Sequence, residues 1–269
     1  MSADRLTTEK LSEKEYWDSV LRDAQLPRVN SAAVYNYRVT MEFVEPILRT
    51  MAASTFLEVG CGSSGWLPYF AREYGYRVSG IDYSEIGCRL AEQNLRMLHI
   101  DYDEIICQDI FAWQTNKQFD IIFSYGVIEH FVHPEEVLRI CCERLALGGI
   151  IITLVPNSQG LVGLLSRIFT NEVYGMHKVI SRKSLQEMHE NLGLENVKTE
   201  YAGNFSVAVI PWVKSKSWLF KEKSPQRNIA LHFIWYADRI LSLIWKWTRW
   251  EYRSHFFSPY VITIARKNR

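Results

Sequence analysis

The chain has 269 residues, 48% of them hydrophobic and 23% charged, with a formal net charge of +1. That is enough apolar material for one α/β domain with additions, and the near-neutral balance gives no bulk reason to expect a nucleic-acid partner, whose phosphates call for a basic surface. The charge is unevenly spread, with 12 Lys and Arg against 3 Asp and Glu from Pro211 onward.

The five cysteines (Cys61, Cys88, Cys107, Cys141 and Cys142) are odd in number, fall inside expected elements and lack metal-ligand spacing. They read as reduced, mostly buried thiols of a cytoplasmic protein, with no metal site among them. Met1 to Lys14 is polar and charged, without the pattern of a signal peptide.

Residues 1–39 read as an N-terminal helical extension, with a helix around Glu13 to Ala24 whose Tyr16 and Trp17 should pack on the main domain. The core is expected over 40–202 plus 258–269. A helix from about Thr40 to Ala53 leads into Thr55–Val59, a short apolar run suited to a strand inside a parallel sheet. Gly60, Gly62 and Gly65 then allow a sharp turn and the close approach of a ligand. Trp66 to Tyr74 has helical composition, so its unpaired N–H groups would face that ligand.

Tyr76 to Ile81 is the second strand, closed by Asp82, and Glu85 to Leu98 has the apolar spacing of a crossover helix. Ile105 to Ile110 reads as a third strand ending near Asp109, and Phe119 begins a fourth that runs through Tyr125 into a polar, aromatic loop. Pro134 to Leu147 is expected to be a helix ended by Gly148-Gly149, with Ile150 to Val155 as the fifth strand. Ser181 to Leu192 is a further helix, Glu195 to Tyr201 a sixth strand and Pro259 to Ala265 a last one. Strands alternating with helices over short connections make a doubly wound, mostly parallel α/β sheet of the Rossmann-like kind. Two insertions, 157–180 after the fifth strand and 203–254 between the last two, are expected on the substrate side as a cap and a basic aromatic helical region.

A carboxylate at position 82 can accept hydrogen bonds from both hydroxyls of an adenosine ribose. Gly60-x-Gly62-x-x-Gly65 also satisfies the dinucleotide fingerprint, so an NAD(P)-dependent oxidoreductase is an alternative. Glu58 weighs against it, because a pyrophosphate at the turn would be repelled by a carboxylate inside the preceding strand. S-adenosylmethionine has no phosphate and carries an ammonium and a sulfonium. Asp109 could likewise accept from an adenine amino group.

Glu58, Gly60-Cys61-Gly62, Asp82, Asp109, and Phe119-Asp120 with Glu129-His130 together resemble the pattern of class I S-adenosylmethionine-dependent methyltransferases of the small-molecule type. The resemblance covers about residues 40 to 200 plus the last strand, and departs from the commonest form in having Ser63-Ser64 before the third glycine. It implies a seven-stranded sheet with an antiparallel last strand, S-adenosylmethionine as cofactor and S-adenosylhomocysteine as product. It also implies a cofactor site of Glu58, Gly60, Cys61, Gly62, Asp82, Tyr83, Asp109, Ile110 and Tyr125, with Tyr83 and Ile110 flanking the adenine. A non-catalytic relative using the same pocket for binding is a further alternative.

His130 and His177 are the candidate general bases, since an imidazole suits an oxygen nucleophile; His133 reads as a loop residue. Transfer to an amine, thiol or acidic hydroxyl needs no base, because alignment of nucleophile, carbon and sulfur supplies much of the acceleration. Tyr35, Tyr37 and Arg38 either close over the site, with Arg38 on the methionine carboxylate, or pack at the surface. Asn228 to Glu251 is strongly apolar and rich in tryptophan. Asp238-Arg239 near its middle argues against a spanning helix. The alternatives are a helix packed over the sheet, forming an acceptor pocket or a homodimer contact, and a peripheral membrane or lipid contact through 211–254. The expected reaction is methyl transfer to a small, apolar or aromatic, lipid- or polyketide-like acceptor in a cytoplasmic or membrane-peripheral enzyme.

Overall fold

Thr55–Val59 (β1) lies near the middle of a seven-stranded sheet in a computed structural model that describes residues 9–52, 54–206, 225–248 and 252–268. The other strands are β2 (Arg77–Asp82), β3 (Tyr102–Cys107), β4 (Phe119–Tyr125), β5 (Leu145–Pro156), β6 (Glu195–Ala202) and β7 (Tyr260–Arg266). Their order is β3-β2-β1-β4-β5-β7-β6, with the first five parallel and β7 antiparallel to both β5 and β6. The antiparallel last strand is the arrangement the resemblance implies.

Both faces of the sheet are covered, so neighbouring residues on one strand enter different cores. Phe56, Phe123, Ile152 and Ile262 belong to one cluster, whereas Leu57, Ile122, Ile151 and Val261 belong to the other. This is the period of two that a pleated strand imposes. Each such side chain, buried to completion, contributes about 1.5–3 kcal/mol.

The helices are α1 (Lys14–Leu21), α2 (Tyr35–Leu48), α3 (Trp66–Tyr74), α4 (Glu85–Met97), α5 (Pro134–Glu143), α6 (Leu161–Phe169), α7 (Asn171–Gly175), α8 (Arg182–Asn191) and α9 (Pro225–Thr248). Among the boundaries that differ from the sequence reading, three have a cause in the packing. The helix before β1 begins at Tyr35 rather than Thr40, because Tyr35 is a buried anchor whose hydroxyl accepts from the Asn204 N–H at 2.5 Å. It ends at Leu48, and Ala53 lies outside the described residues.

The third strand starts earlier and stops at Cys107, because the Asp109 carboxylate accepts from the Phe111 N–H at 3.1 Å and turns the chain. The third difference lies at Gly148-Gly149, which does not end a helix. α5 stops at Glu143, where Arg144 donates to the Trp113 carbonyl at 2.5 Å and stacks on the Trp113 ring at 4.9 Å. The two glycines sit inside β5 at a register shift opposite Phe119 and Ile121. A Cβ on Gly149 would stand 2.8 Å from the Asp120 carbonyl, so the pair serves a bulge.

α6 and α7 occupy the insertion after β5. In the second insertion α9 lays Trp245 against Tyr35, with ring centroids 5.6 Å apart, and buries Asp238. Lys214, Lys216, Lys221, Lys223, Arg249 and Trp250 of the basic stretch lie outside the described residues. Among the described residues no helix is long and apolar enough to cross a membrane. All five cysteines are free; Cys61, Cys88 and Cys141 are buried, whereas Cys142 is half-buried and Cys107 exposed.

Candidate active site

The turn after β1 takes a backbone that only glycine adopts without strain, with φ of +72° at Gly60 and +36° at Gly62. A Cβ on Gly60 would stand 2.5 Å from the Val127 side chain. The Gly60 and Cys61 N–H groups both donate to the Ile81 carbonyl, at 2.8 and 3.2 Å, tying the turn to the end of β2.

At that end Asp82 turns its carboxylate toward the turn, accepting from the Gly62 N–H at 2.9 Å and the Ser84 N–H at 2.8 Å. Burial raises its pKa, against the opposing pull of the Ser84, Gly62 and Tyr83 N–H groups. Ser84 caps α4, accepting from the Gly87 N–H at 3.0 Å, and gives its hydroxyl to Asp18 on α1 at 2.5 Å. α1 thereby lies across this edge of the cleft, with Leu21 3.4 Å from where a Gly62 Cβ would be.

Glu58 is buried beneath the turn and its Oε2 has no hydrogen-bond partner. Burial pushes its carboxyl up to about 8, opposed by the Ser64 hydroxyl and by Arg28. Arg28 donates to the Tyr37 hydroxyl at 2.6 Å, and its backbone is held on both sides by the Asn94 side chain at 2.7 Å. Asp109 pairs with Lys10, whose ammonium also lies 4.7 Å from the centre of the Tyr83 ring. Ile110 is buried beside it. The Tyr125 hydroxyl lies 2.9 Å from that of Tyr260, and its ring packs on Trp66.

A second group lies past β4, in a 3-10 turn at Ile128–His130 and the insertion beyond β5. Glu129 is buried with neither carboxylate oxygen hydrogen-bonded, and burial pushes its carboxyl up to about 8. His130 Nδ1 donates to the Met176 carbonyl at 3.0 Å, which leaves Nε2 as an acceptor. Burial and the neighbouring His177 lower the His130 pKa to about 3, and burial lowers that of His177 to about 4. The two imidazoles lie 4.5 Å apart, and one ligand atom from each of Glu129, His130 and His177 lies within 4.8 Å of the others. That donor set has the chemistry to hold a divalent cation.

The structure thus gathers the cofactor candidates at the carboxyl ends of β1, β2 and β4 and the loop after β3, with both histidine candidates beside them. Other residues stand elsewhere. Asp120 accepts from the N–H groups of Ser54 and Thr55, both at 2.9 Å, at the opposite end of β1. Arg38 pairs with Glu42 at 3.7 Å and reaches the Trp245 carbonyl, so it faces α9. His133 lies 3.1 Å from Glu135 at the start of α5. Sequence reasoning missed Lys10, Leu21 and Arg28. Each reaches the cleft from the N-terminal segment, and no spacing in the sequence marks the path of that segment.

The residues fit an adenosyl sulfonium better than a dinucleotide. The glycine turn leaves the space a Cβ would fill, and the buried orphan oxygen of Glu58 sits below it where a cation would gain. A pyrophosphate would meet the Asp82 carboxylate instead, and would further disfavour ionisation of the buried Glu58, which a cation would favour.

A family model for a methyltransferase domain matches residues 33–199. The ubiquinone biosynthesis O-methyltransferase of Caulobacter sp. is 31% identical over 103 residues, which is 38% of this chain and 40% of that protein. The mitochondrial ubiquinone biosynthesis O-methyltransferase of Homo sapiens is 26% identical over 155 residues, 51% of this chain and 40% of that protein. The chain therefore spans only 40% of the length of these curated relatives. Among solved structures, the plantazolicin methyltransferase BpumL in complex with SAH superposes with a TM-score of 0.57 at 16% identity, over 95% of this chain and 90% of that one. Phosphoethanolamine N-methyltransferase 2 of Haemonchus contortus gives 0.56 at 15% identity, over 86% and 52%. At these identities the structures speak for the fold alone. The family model, which covers more than half of the sequence on a sheet of this order, places the chain among the methyltransferase-domain proteins, in the class I S-adenosylmethionine-dependent family.

Proposed function

We propose that the protein transfers a methyl group from S-adenosylmethionine to a small, apolar or aromatic acceptor by in-line displacement. The observation that carries this reading is the Asp82 carboxylate held over a Cβ-free turn by the Gly62 and Ser84 N–H groups. Each oxygen accepts one N–H there and keeps a lone pair for a ribose hydroxyl. Tyr83 and Ile110 would flank the adenine, and Asp109, which retains lone pairs beside Lys10, would accept from its amino group. Glu58 would favour the methionine ammonium through the turn, and Arg28, whose charge acts on Glu58, would pair with its carboxylate. Cys61 and Tyr125 would complete the wall.

The cofactor supplies an electrophilic methyl on a sulfonium. The protein's part is to hold the acceptor in line with it and to keep water out. His130 and His177 stay neutral at physiological pH and can accept a proton, but burial makes both weak bases. That favours an acceptor that gives up its proton readily, such as a phenolic hydroxyl, and the O-methyltransferase relatives support an oxygen as the methylated atom.

Calorimetry with S-adenosylhomocysteine and with NAD tests the cofactor half of the reading. Binding of the first and not the second is expected, and binding of NAD alone would overturn it. Incubation of labelled cofactor with phenolic acceptors of graded chain length tests the other half, with label expected in the longer, more apolar ones.

A further inference from the structure

α9 carries an apolar stripe on its outer side. Phe233, Ile240, Leu243, Ile244 and Trp247 are all exposed, Phe233 at 75% and Trp247 at 91%. At the pitch of a helix, about 100° per residue, they fall within an arc of about 100°. Asp238, Leu241 and Trp245 occupy the opposite side and face the domain. The helix is therefore amphipathic with its polarity reversed at the solvent side, and large exposed apolar strips of this kind mark contact surfaces.

We infer that this face docks on an anionic lipid surface, with α9 lying in the plane of the interface. Two observations choose that occupant over a second copy of the chain. The sequence 211–254, which contains α9, holds 9 Lys and Arg against 3 Asp and Glu, so pairing two copies through α9 would concentrate like charge. A bilayer rich in acidic lipids attracts the same segment. No helix among the described residues is apolar enough to span, whereas aromatic rings on one face and surplus basic charge are what an interfacial helix uses. The docking does not depend on the transfer chemistry. Combined with it, docking sets the domain beside the phase in which an apolar acceptor dissolves.

The test is co-sedimentation of the full chain with vesicles of mixed phosphatidylglycerol and phosphatidylcholine, and with vesicles of phosphatidylcholine alone. Binding to the anionic vesicles at least tenfold tighter than to the neutral ones is expected, falling as salt is raised. The single variants Phe233→Ser and Trp247→Ser should each weaken binding several-fold, and the triple variant Phe233→Ser/Leu243→Ser/Trp247→Ser should abolish it. S-adenosylhomocysteine affinity, measured on the same samples, should stay unchanged in all of them. Failure to sediment with anionic vesicles would overturn the inference while retained S-adenosylhomocysteine binding left the proposed activity standing. A dimer on size-exclusion chromatography that the triple variant converts to monomer would also overturn it, by assigning the face to a subunit contact.

Discussion

Trp17 stands edge-on to the imidazole of His130, with ring centroids 4.8 Å apart and the planes at 84°. The indole N–H is anchored on the Ser12 hydroxyl at 2.9 Å, so the N-terminal segment holds the ring in place. This contact helps keep water from His130, and exclusion of water is the main cause of its pKa of about 3. Trp17→Ala should raise the His130 pKa toward its ordinary 6.5, followed by NMR titration of the imidazole. A titration curve identical to that of the parent chain would show that other side chains exclude the water.

Asp82→Ala removes the carboxylate proposed for the ribose. S-adenosylhomocysteine affinity should fall at least tenfold, about 1.4 kcal/mol, by calorimetry. The circular dichroism spectrum should change little, while thermal unfolding should fall, because the buried Gly62 and Ser84 lose the acceptor of their N–H groups.

Gly60→Ala sets a Cβ against Val127 and forces a non-glycine residue to φ of +72°. The backbone term alone is about 1–2 kcal/mol, so thermal unfolding should fall by roughly several degrees. Adding Val127→Ala relieves only the side-chain clash and should recover part of the loss.

Glu129→Gln isolates one titrating group. Burial raises the Glu129 carboxyl from 4.5 to about 8, so between those pH values the folded chain holds a proton that the unfolded chain has lost. Stability therefore declines as pH rises through that window. His130 and His177, lowered to about 3 and 4, act with the opposite sign, since the unfolded chain binds their protons first as pH falls. Above about pH 7 both states have lost those protons, and denaturant unfolding at pH 7 and 8 sees the carboxyls. The parent chain should lose stability over that interval, and Glu129→Gln should lose less while keeping the share of Glu58, which burial also raises to about 8.

Much of this was legible in the sequence because it depends on neighbours along the chain. Thr55–Val59 and Trp66–Tyr74 occupy the spans that alternation and composition indicate, since a buried strand, a glycine turn and a helix start each have local signatures. Gly148-Gly149 misled because a glycine pair ends helices and permits bulges equally well, and only the carbonyl of Asp120 on the adjoining strand decides between them. Asp109 sits beyond its strand because its own side chain makes the turn. Lys10, Leu21 and Arg28 were hidden for a different reason, whereas the packing of Trp17 on the domain was legible from its bulk. The segment that carries them crosses the cleft through contacts such as Lys10 with Asp109 and Arg28 with Asn94, 99 and 66 positions away, and chain spacing holds no record of such a path.

β7 lies between β5 and β6 although it follows both in the chain. As the polypeptide leaves the ribosome, Glu195–Ala202 emerges with no edge of the sheet ready to receive it. It must wait, exposed, until Tyr260–Arg266 has been synthesised and laid beside β5. The sheet is thus completed from its interior outward only once Tyr260–Arg266 has emerged, which leaves β6 without its hydrogen-bonding neighbour for the length of more than 50 codons.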